Sequence, residues 1–268
     1  MHFSEGSAGL LSEQISAGDF LAVHCASDRN LEFRRSAPSG RTVLLANGLA
    51  VVFDFGSPLA LDMSFGRRAS LVAKRAIDVF VGGLALIAFL PLMIVIAAVI
   101  RCTSPGPALF RQSRLGLNGR IISVLKFRSM YADCADEAGI YQAERGDTRI
   151  TPIGRFIRQT SLDELPQLLN VLHGSMSLVG PRPHPVFMRA GGVNYEELVP
   201  YYHSRLQMKP GITGWAQANG LRGPTAEADA AKARLEHDLA YIQNFSLWLD
   251  IRILARTLHR EFISGSAI

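Results

Sequence analysis

The sequence predicts a helix-rich α/β protein with one membrane-associated segment, and three observations carry that expectation. An uncharged apolar run, VFVGGLALIAFLPLMIVIAAVI, extends from Val79 to Ile100. The stretch from Pro152 to Ile268 alternates helix-like periods with Gly/Pro loops. Among 268 residues 48% are hydrophobic and 19% still charged, which suits a folded aqueous domain beside one membrane segment.

Residues 1–66 read as a short N-terminal accessory segment. AGDFLAVHC, RTVLLANG and LAVVFDFG are short apolar runs between turn residues, so a few strands are expected. The segment carries no chemical motif, which fits a small module or a partner-docking piece. Its start, MHFSEGSAGLLSEQ, lacks the basic residues and apolar core of a signal peptide.

Residues 67–268 form the second part and include the membrane helix, 79–100. Roughly 22 residues at 1.5 Å each reach about 33 Å, enough to cross a hydrocarbon core. A single spanning helix is therefore the simplest expectation. Two features oppose it. Pro91 lies mid-run, where it removes a backbone hydrogen bond and kinks or breaks a helix. Basic residues also crowd both ends: Arg67, Arg68, Lys74 and Arg75 before the run, Arg101, Arg111 and Arg114 after it. Positive charge marks the cytoplasmic side, so a re-entrant hairpin bent near Pro91 competes on even terms with a spanning helix.

Beyond the run, TSPGPALFRQ reads as an exit loop, and SRLGLNGRIISVLKFRSM as a turn followed by an amphipathic segment. Tyr131 to Arg149 is polar and suits an exposed helix or loop. Near the C-terminus SLWLDIRILARTLHREF places Leu247, Ile251 and Leu254 on one helical face.

The net charge of +5 points to an anionic partner. Between Arg67 and Arg128 the only acid is Asp78, so the basicity flanks the apolar run. That placement favours a lipid headgroup surface over nucleic acid. Cys25, Cys102 and Cys134 show neither a disulfide framework nor a paired metal spacing, and read as reduced thiols facing the cytosol. The seven histidines are scattered without zinc-ligand spacing.

Chemistry concentrates in IGRFIRQTSLDELPQLLNVLHGSMSLVGPRP, residues 153–183. Asp163 and Glu164 stand together at an apparent helix start, with Arg158 about a turn earlier and Arg182 in the following Gly/Pro turn. A structural role is open to the pair. Ser161 and Glu164 match a capping box, or Asp163 caps a helix that begins nearer Pro166. The chemical role is open too: a helix N-terminus attracts phosphate and keeps a carboxylate ionised for nucleophilic attack or metal binding. Arg158 suits a phosphoryl group in transfer. Arg111, Arg114, Lys126 and Arg128 suit a pyrophosphate or lipid phosphate, or form a solvated basic flank. The glycines of KPGITGWAQANGLRGPT, residues 209–225, allow close backbone approach to a ligand, though such loops are common connections.

KRAID, SPGPALFRQSRLGLNG, LKFRSM, DTRITPIGRFIRQTSLDELPQLLNVLHGSMSLVGPRP, KPGITGWAQANGLRG and HDLAYIQNFSLWLD resemble, in order, the motifs of the bacterial sugar transferases. These are the monotopic polyprenyl-phosphate hexose-1-phosphate, or phosphoglycosyl, transferases. The resemblance runs from Lys74 towards the C-terminus. It implies a helix-rich α/β monotopic membrane protein, with a kinked re-entrant helix broken at Pro91 and a catalytic domain on the cytoplasmic face of the bacterial inner membrane. It further implies Mg²⁺ bound at Asp163 and Glu164. On this likeness Asp163 attacks the diphosphate of a UDP-sugar, UMP departs, and polyprenyl phosphate takes the phosphosugar from the aspartate. Arg158 matches a phosphate-binding position, and Arg182 falls near the nucleotide.

NGLRGPT followed by HDLAYIQNFSLWLD is most similar to the branch that starts exopolysaccharide repeat units with glucose-1-phosphate. That implies UDP-glucose as first donor, UDP-galactose next, and undecaprenyl phosphate as acceptor, with membrane lipids and a homo-oligomer as further partners. Two departures stand out. Leu90 precedes the proline where many small members carry Ser, and a short block replaces the N-terminal membrane helices of larger members. A glycosidase is a rival reading, but adjacent carboxylates are poorly placed to flank a glycosidic bond across about 5–9 Å. The non-enzymatic rival is a membrane scaffold of a polysaccharide assembly complex, with the carboxylates as caps.

Overall fold

The computed structural model describes residues 32–36, 40–44, 50–53, 65–134, 146–186, 188–190, 193–198, 201–221 and 228–260. The chain divides into two units, Met1–Ala60 and Leu61–Ile268. In the first, β1 (Glu32–Ser36), β2 (Gly40–Leu44) and β3 (Ala50–Phe53) form an antiparallel meander with Arg41 opposite Phe53. Strands β2 and β3 fall on RTVLLANG and LAVVFDFG. AGDFLAVHC and Cys25 lie outside the described residues.

The second unit begins with α1 (Phe65–Thr103), 39 residues long and so longer at both ends than the expected 79–100. Among the described residues it is the one helix long and apolar enough to cross a membrane. Helical structure runs on through Pro91, so that proline does not terminate it. The helix meets the rest of the unit in two places. Towards its start Lys74, Asp78 and Gly82 are buried four residues apart, on one face. Lys74 pairs with Asp250 at 2.6 Å, and the Asp78 carboxylate accepts from the Leu178 N–H at 3.0 Å. Towards its end Met93, Ile96 and Ile100 enter a cluster with Phe127 and Ile157. Between these contacts Ile87 to Leu92 are exposed on every side.

After α1, β4 (Leu109–Leu115) and β5 (Ile121–Phe127) pair antiparallel, with Leu109 opposite Phe127. The expected exit loop and amphipathic segment are thus largely one hairpin. Asn118, at φ 56°, makes its turn. Val124 and Phe127 are buried on opposite faces of β5, and β-branched residues suit such a pleated, half-buried strand. Part of Tyr131 to Arg149 lies outside the described residues.

Helix α2 (Pro152–Gln159) starts on a Thr151 hydroxyl that accepts from the Gly154 N–H at 2.9 Å, with Pro152 in the first turn. Helix α3 (Gln167–His173) ends at Gly174, φ +95°, where only glycine is unstrained. Arg75 of α1 donates to the last carbonyls of α3, Val171 at 2.6 Å and Leu172 at 2.9 Å. Strand β6 (Ser177–Val179) follows, then β7 (Arg189–Ala190), β8 (Val193–Asn194) and α4 (Tyr195–Leu198).

Strand β9 (Gly211–Thr213) runs parallel to β6, and short α5 (Trp215–Ala218) is wholly buried. A Cβ on Gly211 would lie 2.1 Å from the Gly180 nitrogen, and one on Gly180 would lie 2.4 Å from the Lys209 carbonyl. Glycines of the KPGITG stretch therefore serve backbone-on-backbone packing rather than a ligand cradle. Residues 222–227, the end of that motif, lie outside the described residues.

Helix α6 (Ala228–Gln243) is buried along most of its length, including Arg234, Glu236, His237 and Asp238. Helix α7 (Leu247–His259) is capped by the Ser246 hydroxyl on the Leu249 N–H at 3.1 Å. Its buried face is Leu249, Asp250 and Ile253. Of the expected face, Leu247 and Leu254 are only half-buried and Ile251 is 50% exposed. The buried Lys74–Asp250 pair and the Tyr241 hydroxyl bond to Asp250, at 2.7 Å, decide that rotation. Cys102 and Cys134 are free and exposed.

Candidate active site

Local chain geometry brings the two carboxylates together on a single short turn. Helix α2 lies hard on the exit of β5: a Cβ at Gly154 would meet the Ser129 carbonyl at 1.9 Å. At its end Ser161 adopts φ 54°, a left-handed conformation uncommon for serine. The chain then enters a 3-10 turn, Leu162–Glu164. Leu162 and Leu165 pack down on the cluster that α1 builds with Met93, Ile96 and Ile100. Asp163 and Glu164, between those two leucines, are left for polar partners.

Neither capping role is realised. Ser161 makes no side-chain cap hydrogen bond, and Pro166, not Asp163, precedes the first turn of α3. Glu164 instead receives two cations on one oxygen, Lys126 at 2.8 Å and Arg182 at 2.7 Å. Lys126 also stands 4.0 Å from Asp163. The expectation that a helix N-terminus keeps Asp163 ionised gives way to side-chain cations, since the turn is too short for a macrodipole of consequence.

The two carboxylates differ electrostatically. Burial alone would raise Glu164, but Arg182 and Lys126 outweigh it and hold the group well below the usual glutamate range. For Asp163 burial wins: it raises the group despite Lys126, and the charge of Glu164 adds to the rise, while Arg158 and Arg182 oppose it. Glu164 is thus a fixed anion, and Asp163 a partly desolvated carboxylate with weaker compensation. A poorly solvated anion is the stronger nucleophile of such a pair.

Of the expected phosphate-binding residues, the structure brings Lys126 and Arg182 against the carboxylates, and the charge of Arg158 reaches Asp163. Arg158, in the last turn of α2, acts on Asp163 through its charge and lies 3.5 Å from the Ser129 hydroxyl. Two negative side chains then face three positive ones, a surplus that suits a diphosphate.

Arg111 is exposed on β4 and stands opposite Leu125, so its side chain leaves the hairpin on the face opposite to that of Lys126. Arg114 turns under the Pro181–Arg182–Pro183 segment, donating to Gln112 and to the Pro183 carbonyl at 2.5 Å. Burial, then Arg182, lower its pKa to about 10. Arg128 is 4% exposed and donates to the Ser104 and Pro105 carbonyls and the Ser104 hydroxyl. Its phosphate-binding role is therefore replaced by a clamp on the loop after α1. Lys126 and Arg128 look equivalent in LKFRSM, but the strand ends between them and they face different partners.

Two supporting residues gave little sequence signal. Asn170 of α3 acts as a strand edge for β5: its amide donates to the Ser123 carbonyl at 2.7 Å and accepts from the Leu125 N–H at 2.9 Å. This fixes the strand that carries Lys126. Arg205, from a 3-10 turn at Tyr202–Gln207, donates to the Arg182 carbonyl and pairs with Asp238 of α6 at 2.8 Å. An Asn inside an apolar helix and an Arg 23 residues beyond its contact carry no local pattern.

A model of the family described as bacterial sugar transferase matches residues 69–264. The exopolysaccharide production protein PSS of Rhizobium leguminosarum bv. phaseoli is 52% identical over 73% of this chain and 98% of its own length. The undecaprenyl-phosphate glucose phosphotransferase of Komagataeibacter xylinus is 49% identical over 74% of this chain. The UDP-glucose:undecaprenyl-phosphate glucose-1-phosphate transferase of Escherichia coli K12 is 43% identical over 82%. The aligned part is 37% of the Komagataeibacter protein and 45% of the Escherichia protein, so the chain spans less than half of those two relatives.

Proposed function

The chain belongs to the bacterial sugar transferase family, and from that premise we propose that it transfers glucose-1-phosphate from UDP-glucose to undecaprenyl phosphate, releasing UMP. The product is the first lipid-linked intermediate of an exopolysaccharide or related glycoconjugate. One observation carries the reading. Asp163 and Glu164 sit between two leucines that pack on the apolar helix, with Lys126 and Arg182 against them and the charge of Arg158 acting on Asp163. A water-soluble diphosphate and a lipid-borne phosphate would both meet the same carboxylates there.

The steps follow from the charges. Lys126, Arg158 and Arg182 draw in the donor diphosphate and orient it. An Asp163 oxygen attacks the sugar-bearing phosphorus; an O–P bond forms, and the bond from that phosphorus to the bridging oxygen breaks. The electron pair leaves with UMP, and no proton moves because the nucleophile is already ionised. An oxygen of the lipid phosphate then attacks the same phosphorus and returns Asp163 as a carboxylate. Glu164, clamped by two cations, holds Lys126 and Arg182 in place through both halves.

The residues fit magnesium that enters with the donor. Asp163 and Glu164 would hold it, with diphosphate oxygens completing its shell; no third His, Cys, Asp or Glu joins them among the described residues. Bound there, it supplies charge neutralisation on the diphosphate.

A re-entrant α1 bent at Pro91, in the cytoplasmic leaflet of the inner membrane, is supported by its burial pattern. Both the Lys74–Gly82 and the Met93–Ile100 segments pack on one domain, whereas Ile87 to Leu92 contact little of it. A straight spanning helix would hold Lys74 and Ile100, about 39 Å apart at 1.5 Å per residue, on opposite sides of the bilayer, where one domain could not pack on both.

The test uses membranes holding the full chain, labelled UDP-sugars and undecaprenyl phosphate. UDP-glucose is expected to yield UMP and labelled protein before lipid is added, and labelled lipid afterwards. Asp163→Asn is expected to insert normally and do neither. Retained UMP release in that variant would remove Asp163 as nucleophile.

A further inference from the structure

We infer that the buried Arg205–Asp238 pair is a positioning device for the Pro181–Arg182–Pro183 turn, and through it for the guanidinium that clamps Glu164. The inference rests on the transferase reading above and adds to it two residues remote in sequence.

The turn cannot hold itself. Pro181 and Pro183 have no backbone N–H, so two of its three ordinary donors are missing. Each carbonyl from 181 to 184 is instead taken by a donor from elsewhere. The Gly211 N–H reaches Pro181 at 3.0 Å, and the Leu115 N–H reaches His184 at 2.9 Å. Arg114 serves Pro183 and Arg205 serves Arg182. The side chain of Arg182 is 32% exposed, so its placement depends on the backbone behind it.

Arg205 in turn is fixed by Asp238. Its Nε and Nη2 donate to one carboxylate oxygen at 3.2 and 2.8 Å, and both side chains are 1% exposed. The Tyr202 ring lies 5.5 Å from the guanidinium. A pair this buried is weak as a source of stability, because desolvation offsets its attraction and apolar replacements are often neutral or better. Its position explains it better. It is the rigid end of a chain of contacts, Asp238 to Arg205 to the Arg182 carbonyl, whose other end is Glu164 beside the nucleophile.

The test compares full-length wild type with Asp238→Asn, Arg205→Lys, Arg182→Ala and the Arg182→Ala/Asp238→Asn double variant in lipid nanodiscs. Arg205→Lys keeps the charge for Asp238 but loses the fork that reaches both partners, and it stands in should Asp238→Asn misfold. Two readouts are taken: UMP release from UDP-glucose, and amide exchange at Arg182 and His184. Each single change at the pair is expected to lower kcat/KM about 10²-fold, the scale of a displaced catalytic group. Exchange at the two amides should accelerate. In the Arg182→Ala background the Asp238→Asn change should cost about 2-fold or less, because a residue acting through Arg182 has nothing left to position. Equal losses in both backgrounds, or unchanged exchange, would overturn the inference. Absence of UMP release from wild type would instead sink the transferase reading, and the exchange comparison would still decide the role of the pair.

Discussion

Replacing Lys126 by Met tests the electrostatics of the site most directly. Its ammonium lies 2.8 Å from Glu164 and 4.0 Å from Asp163. At an effective dielectric of 20 those separations correspond to gross attractions of about 6 and 4 kcal/mol, before desolvation is subtracted. Removing one partner of a buried pair costs about 3–5 kcal/mol net. Arg182 remains on Glu164 at 2.7 Å, so the expected loss of stability is at the lower end, about 3 kcal/mol. The functional loss falls mainly on Asp163. Burial already raises that group above its ordinary value of 3.8, and Lys126 is the chief opposing charge. Without it Asp163 stays protonated to higher pH, and the donor diphosphate loses a counter-charge. UMP release near neutral pH should fall about 10²–10³-fold, the usual cost of one electrostatic stabiliser. The acidic limb of the pH–rate profile should also move upward. The assay is a pH series of UMP release, paired with thermal unfolding. Raising the pH should recover part of the rate in Lys126→Met but none in Asp163→Asn, and Lys126→Arg should recover most of both properties. A Lys126→Met protein with wild-type stability and an unshifted profile would refute this account of the site.

Other perturbations separate structural from catalytic cations. Arg128→Met should cost about 2–3 kcal/mol through its lost charge-assisted bonds to Ser104 and Pro105, read as a lower Tm, with KM for the donor unchanged in the folded fraction. Gly211→Ala should lose about 3 kcal/mol or more, because its Cβ would meet backbone at 2.1 Å; the readout is yield of folded protein in membranes. Glu164→Gln should flatten the acid limb of the stability profile. The depressed group contributes stability in full above its unfolded value of 4.5, and loses it progressively as pH falls from there through the lower folded value. Unfolding midpoints of wild type and variant across acidic pH check that sign.

Much of the site was legible in linear sequence because the signals were local. The apolar run needed only its own composition, and a helix over Val79–Ile100 followed. Asp163, Glu164 and Arg182 stood out within one stretch. What sequence could not weigh was which cations meet those carboxylates. Lys126 and Arg128 are two residues apart, with the same charge and Phe127 between them. One reaches Glu164, while the other is drawn to the loop after α1. The rotation of α7 likewise followed a buried ion pair with Lys74, 176 residues away, rather than its most apolar face.

By itself, then, the amino-acid order determined the apolar segment, the order of the motifs and the adjacency of the two candidate carboxylates. Each of these depends on interactions within a helical turn, a strand or a short loop. Only the tertiary structure decided how those groups are charged and held: Lys126 over Arg128, Asn170 on the edge of β5, and Arg205 with Asp238 behind the Pro181–Pro183 turn. The physical reason is range. Hydropathy and capping act between neighbours in the chain, whereas burial and charge pairing depend on what folding packs opposite them, often a hundred residues away.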